Sequence, residues 1–214
     1  MFSITITLVI VIITAIISYN AFNNNQIKYD LIMYPPAISE RKQWYRLFSY
    51  GLIHADFIHL AFNMYALYLF GSSLESDYKS IFGNVLGSIF YLLLYIFALL
   101  FSILPSYKKN ETNSGYSSLG ASGAVSAVIF ASIVLRPKKE IGFLFLPKEL
   151  YFPGYIFGIV YLIASYYMAK KKNDNINHEA HYWGAVFGII FTILTTYFIA
   201  HYPVFTAFIN QVAH

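Results

Sequence analysis

Six stretches of this chain are apolar over most of the length a bilayer crossing demands: residues 2–19, 57–71, 81–104, 119–135, 152–169 and 180–200. A spanning helix takes about 20 such residues, with a working range of about 17–25. Lipid offers backbone N–H and C=O groups no partners, so each stretch must satisfy its own as a helix. The expected fold is therefore an all-α, six-transmembrane-helix bundle, one domain over residues 1–214. Composition agrees: 58% of residues are hydrophobic and 11% charged, against about 25% charged in soluble domains. The first stretch lacks a Lys/Arg-rich start and a small-residue cleavage site, and is read as a retained span.

Other classes fall away quickly. The net charge of +4 is spread through connecting segments, with no basic stripe for nucleic acid. The absence of cysteine removes disulfides and thiolate metal sites. His54 and His59 lack the HExxH spacing of a zinc peptidase, so neither metal nor cofactor is expected. The connection over 20–53 mixes polar and aromatic residues, including Pro35-Pro36 and Arg41-Lys42-Gln43-Trp44-Tyr45-Arg46. It reads as an interfacial segment with Trp and Tyr at headgroup level and Arg reaching phosphates. Residues 106–118 read as a mobile hydrophilic loop after a helix closed by Pro105. The apolar run within 136–151 is too short to span, and 170–179 is a short polar link.

Against this background four polar side chains stand out, because an ionisable or polar group within a span is a functional hypothesis by default. His59 and Asn63 open the second stretch, Ser122 the fourth and His181 the sixth. In a six-span bundle these three helices run the same way, so their first turns share one side of the bilayer at similar depth. Ser122 lies in Gly120-Ala121-Ser122-Gly123 at a helix start, where free N–H groups and the helix dipole favour an anion. Such donors suit the oxyanion formed when a serine attacks a carbonyl. His181 lies in Ala180-His181-Tyr182-Trp183-Gly184 and could accept the serine proton and pass it to a leaving amine.

Each residue also has a plainer reading. Gly123, Ala127 and Ala131 form a small-residue stripe at helical spacing, as do Ala180, Gly184 and Gly188, and such stripes serve helix packing. The stripes would also bring helices four and six close enough for serine and histidine to meet. His59 and Asn63, four apart on one face, are either interhelical polar glue or neutral donors to an oxyanion. Glu179 is two residues from His181 and faces elsewhere, so the expected pair is a dyad without an acid.

Together these motifs resemble the rhomboid family of intramembrane serine proteases. The resemblance covers roughly Trp44 to Gly188: Trp44-Tyr45-Arg46, His54-Ala55-Asp56-Phe57-Ile58-His59 continuing to Asn63, the Ser122 motif, and His181 with Gly184 and Gly188. It implies Ser122 as nucleophile, His181 as general base and His59 with Asn63 as oxyanion stabilisers. It also implies a structural role for Glu75 and a loop-seating role for Arg46. Many members carry an aromatic four residues after the nucleophile, stacked on the base; here that position is Ser126. The family's topology puts the site on the extracytoplasmic face, whose connections would then hold nine of the fourteen Lys and Arg. That balance runs against the usual positive-inside rule, with interfacial basic residues of the first connection contributing to it.

The resulting expectation is an integral protein of a bacterial plasma membrane that cleaves transmembrane segments of other membrane proteins, with the lipid bilayer and those substrates as partners. The alternative is a catalytically inactive rhomboid-like binder of transmembrane segments. A proton or ion pathway through the same four residues is disfavoured, since none of the six apolar stretches, as bounded above, carries a carboxylate.

Overall fold

The computed structural model describes residues 4–142, 147, 149, 151–171 and 176–213. The start of the first apolar stretch, the run at 143–146 and the polar residues 172–175 lie outside these. Six longer helices form the body: α1 (Ile6–Asn23), α5 (Phe57–Phe82), α6 (Asn84–Lys109), α7 (Ser122–Leu135), α8 (Gly154–Lys171) and α9 (His178–Leu194). Three short helices, α2 (Asn25–Leu31), α3 (Pro35–Ser39) and α4 (Arg46–Ser49), occupy the first connection, and α10 (Val204–Ala213) follows α9. A two-residue antiparallel pair, β1 (Glu140–Ile141) with β2 (Phe152–Pro153), ties the ends of the α7–α8 connection.

Among the described residues, four helices are long and apolar enough to cross a membrane: α1, α5, α6, and α9 with its π-turn extension to Ile199. The other two fall short for different reasons. α7 is apolar but only 14 residues long, about 21 Å at 1.5 Å per residue. α8 has 18 residues but ends in Tyr166, Tyr167, Lys170 and Lys171. Both pack in the same bundle as the four, and α7 lies at its centre, touching α5, α6, α8 and α9.

The outward faces are those of a membrane protein. α1 buries Thr7, Thr14, Ser18 and Ala21 and turns Ile12, Ile13 and Ile16 outward. α8 buries Gly154, Gly158 and Ser165 while Ile159, Val160 and Ile163 face out. Lipid tails are as apolar as leucine, so small and hydroxylated residues go to helix contacts and large apolar ones to the solvent side.

Several element boundaries differ from the sequence expectation. α5 does not stop at Gly71 but runs to Phe82, ended by Gly83 at φ +82°. Gly71 makes room rather than a break: a Cβ there would meet the Tyr91 hydroxyl and, at 2.9 Å, the Thr7 methyl. The polar turn beyond it carries Glu75, which accepts N–H bonds from Ile6 (3.1 Å) and Thr7 (2.9 Å) and so caps α1. Glu75 is thus a buried carboxylate within α5, where the sequence expectation has no acid inside a span and places Glu75 beyond the second one. α6 likewise passes through Pro105 to Lys109; a proline removes one N–H, which a membrane helix tolerates.

The first connection is a folded cap built of three short helices and a 3-10 turn, Tyr50–Leu52. Trp44 and Tyr45 are about half exposed, as expected at an interface. Arg46 corrects the phosphate reading. It is 3% exposed and turned inward, donating to the Tyr29 (2.7 Å) and Ile32 (2.9 Å) carbonyls and to Gln43 (2.6 Å). It seats the cap by satisfying carbonyls at the end of α2, which would otherwise be orphaned.

Candidate active site

The chain enters α7 through a strand-like segment pinned to the first connection. Ser118 and Met33 exchange two backbone hydrogen bonds of 3.0 Å. The Gly120 N–H donates to the Tyr50 carbonyl (3.0 Å), and the Ala121 N–H to His54 Nε2 (3.4 Å). The expectation of a mobile loop is therefore corrected for its last residues, whose backbone is hydrogen-bonded. Gly120 sits at φ +108°, which L side chains rarely adopt. A Cβ there would lie 2.7 Å from the His59 ring, so the glycine serves both the turn and the ring packed on it.

Ser122 is the first residue of α7, and no side chain caps the N–H groups of that turn. Its hydroxyl lies 2.7 Å from His181 Nε2, with both residues half-buried. The two helices carrying them approach backbone to backbone. A Cβ on Gly184 would fall inside contact distance of the Gly123 carbonyl oxygen, and one on Gly188 inside that of Ala127. The start of α9 is fixed by Asn177, which accepts from the Ala180 N–H (3.0 Å) and donates to Tyr116 (3.1 Å) and Ser118 (3.2 Å). Glu179 faces away from Ser122, accepting from Ser106 (2.7 Å) and pairing with Lys109 (3.8 Å).

His59 and Asn63 share the face of α5 that meets this entry segment. Asp56 caps their helix through the His59 N–H (2.8 Å). Asn63 donates one amide hydrogen to the His59 carbonyl (2.9 Å), leaving its second for another acceptor. Behind them His54 is 1% exposed, and its tautomer can be assigned. The Ser18 hydroxyl gives its proton to the Leu52 carbonyl (2.8 Å), so it accepts from His54 Nδ1–H (2.9 Å), and Nε2 is left to accept from Ala121. Burial, reinforced by the neighbouring His59, pushes the imidazole down from 6.5 to about 3. His54 is thus a neutral strut under the residue preceding Ser122. Among the described residues no group of His, Asp and Glu could hold a metal ion.

A serine and a histidine at hydrogen-bond distance on small-residue helices, with His59 against a left-handed glycine two residues before the helix start, make a specific constellation. Residues 41–198 match the Rhomboid domain. The chain belongs to the rhomboid family. No curated protein matches the sequence. The matched region takes in His59, Asn63, Ser122 and His181 and leaves α1 and α10 outside it.

In this rhomboid the position four residues beyond Ser122 holds a hydroxyl instead of a ring. Ser126 donates to the Ser122 carbonyl (2.9 Å) and so accepts from the Tyr161 hydroxyl (2.7 Å). The Tyr161 ring, on α8, lies nearly parallel to the His181 imidazole, at 27° with centroids 6.5 Å apart. Sequence reasoning missed Tyr161, though a signal existed. Gly154, Gly158, Tyr161 and Ser165 recur at i, i+4, i+7 and i+11, one face of a helix, and the tyrosine is the single large residue among them.

Proposed function

We propose that this chain is an intramembrane serine endopeptidase that cleaves transmembrane segments of other membrane proteins with a Ser122–His181 dyad. The observation that carries the reading is the 2.7 Å approach of His181 Nε2 to Ser122 Oγ at the uncapped start of α7. In the first step Ser122 Oγ bonds to the scissile carbonyl carbon while its proton passes to Nε2. The oxyanion is stabilised by the first-turn N–H groups of α7, the free amide hydrogen of Asn63 and the His59 ring. The imidazolium then protonates the leaving amine as the C–N bond breaks. A water, deprotonated by the same imidazole, releases the acyl product and restores the serine.

A helical substrate shields its amides with its own hydrogen bonds, so local unwinding must precede attack, and glycine or proline near the scissile bond eases it. In this proposal the site lies on the extracytoplasmic side of a bacterial plasma membrane, with six helices crossing, α7 and α8 included. The test is incubation of purified protein with a panel of single-span substrates. Ser122→Ala and His181→Ala are each expected to abolish cleavage with expression intact, and a fluorophosphonate is expected to label wild type at Ser122. Undiminished cleavage by Ser122→Ala rejects the mechanism, and a wild type that neither cleaves nor labels favours the inactive binder.

A further inference from the structure

We propose that Tyr161 of α8 is the positioning residue for the His181 imidazole, supplying from another helix the ring that position 126 lacks. The inference rests on the proposed Ser122–His181 chemistry. Its first support is a closed circuit of contacts. Ser122 meets His181 (2.7 Å), His181 lies along Tyr161 at 27°, Tyr161 donates to Ser126 (2.7 Å), and Ser126 donates back to the Ser122 carbonyl (2.9 Å). Three helices contribute, so the hydroxyl and the imidazole are located relative to the same frame.

The second support is the character of α8. The rest of its inner face is small (Gly154, Gly158, Ser165), which lets the helix pack closely without a large side chain. Tyr161 departs from that pattern, and its ring is fixed from the sides by Phe130 (centroids 5.4 Å) and Phe157 (5.7 Å). The hydroxyl anchor on Ser126 sets the height of the ring along α7. Without the ring, the imidazole loses its near-parallel wall on the α8 side and keeps the edge-on His178 ring (centroids 5.8 Å) of its own helix, so its orientation toward the serine is less closely set.

The experiment compares kcat, KM, fluorophosphonate labelling rate at Ser122 and melting temperature. The variants are Tyr161→Ala, Tyr161→Phe, Leu162→Ala and the exchange Ser126→Tyr with Tyr161→Ala. Tyr161→Ala is expected to lower kcat and labelling by about 10- to 100-fold, since an ångström of misplacement reaches about 10²-fold, with KM within about twofold. Tyr161→Phe, keeping the ring, loses only a few-fold. Leu162→Ala, which removes packing from the same helix but no ring from His181, lowers melting temperature and keeps kcat. The exchange recovers part of the lost kcat by restoring an aromatic from α7. If Tyr161→Ala does not fold, Tyr161→Leu fills the space without a flat ring and takes its place. Unchanged kcat and labelling in the ring-less variant overturns the proposal, as does an equal loss in Leu162→Ala. A wild type that is never labelled at Ser122 instead overturns the proposed function, so the two failures are distinguishable.

Discussion

Single side chains decide whether the start of α7 can hold its shape, and His54 is one whose burial disfavours charge. Its folded-state value, about 3, lies below the ordinary 6.5. Its contribution is therefore complete above pH 6.5 and lost progressively as pH falls from 6.5 toward 3. The upper bound is roughly 1.4 kcal/mol per pH unit. Lowering the pH from 7.5 to 5 is expected to reduce the melting temperature of wild type, and His54→Asn is expected to flatten that slope. An equally acid-sensitive variant would assign the effect to another group. The motif around His54 was legible in the sequence, but its role was not. A histidine's tautomer depends on Ser18 and Leu52, residues of α1 and a 3-10 turn whose proximity no local pattern encodes. Tyr161 was hidden for the same reason: its partner Ser126 is on a different helix, and only the small-residue register of α8 pointed inward.

Helix packing sets the next level of control. Stripes of glycine and alanine on α7 and α9 could be counted from the sequence, and the structure pairs Gly123 with Gly184 and Ala127 with Gly188. Gly184→Ala would force a methyl against a backbone oxygen that cannot rotate away. Overpacking of this kind costs about 1–3 kcal/mol, so a lower melting temperature is expected together with slowed labelling of Ser122. Gly188→Ala, one turn further from the pair, is expected to lower stability with less effect on labelling. A Gly184→Ala protein that melts and labels like wild type would show that the helices yield more easily than their contact suggests. Helix ends were less legible than helix existence. Gly71 and Pro105 both read as stops, yet tertiary contacts outweigh them. α1 requires Glu75 one turn beyond Gly71, and Ser106, just past Pro105, holds Glu179 (2.7 Å).

For the whole molecule, apolar length points to a membrane bundle, and among the described residues four helices meet that requirement unaided. The short α7 and the tyrosine-rich α8 do not. α7 is enclosed by its neighbours, and a helix so placed need not match the bilayer by itself, whereas α8 packs at the edge of the bundle with most of its surface outward. The absence of cysteine allows a direct topology test. Glu40→Cys and Asn113→Cys are expected to react with an impermeant maleimide from one side of sealed vesicles, and Lys138→Cys from the other. Labelling of all three from the same side would mean that α7 does not carry the chain across. The seam between α7 and α9 has a bearing on how such a scaffold can diversify. Where peptide groups abut with no side chain between them, the gap has no adjustable spacer, and individual substitutions can break it but not retune it. Changes that reshape the surroundings of Ser122 and His181 therefore have to accumulate on the flanks contributed by α5 and α8, while the seam stays fixed.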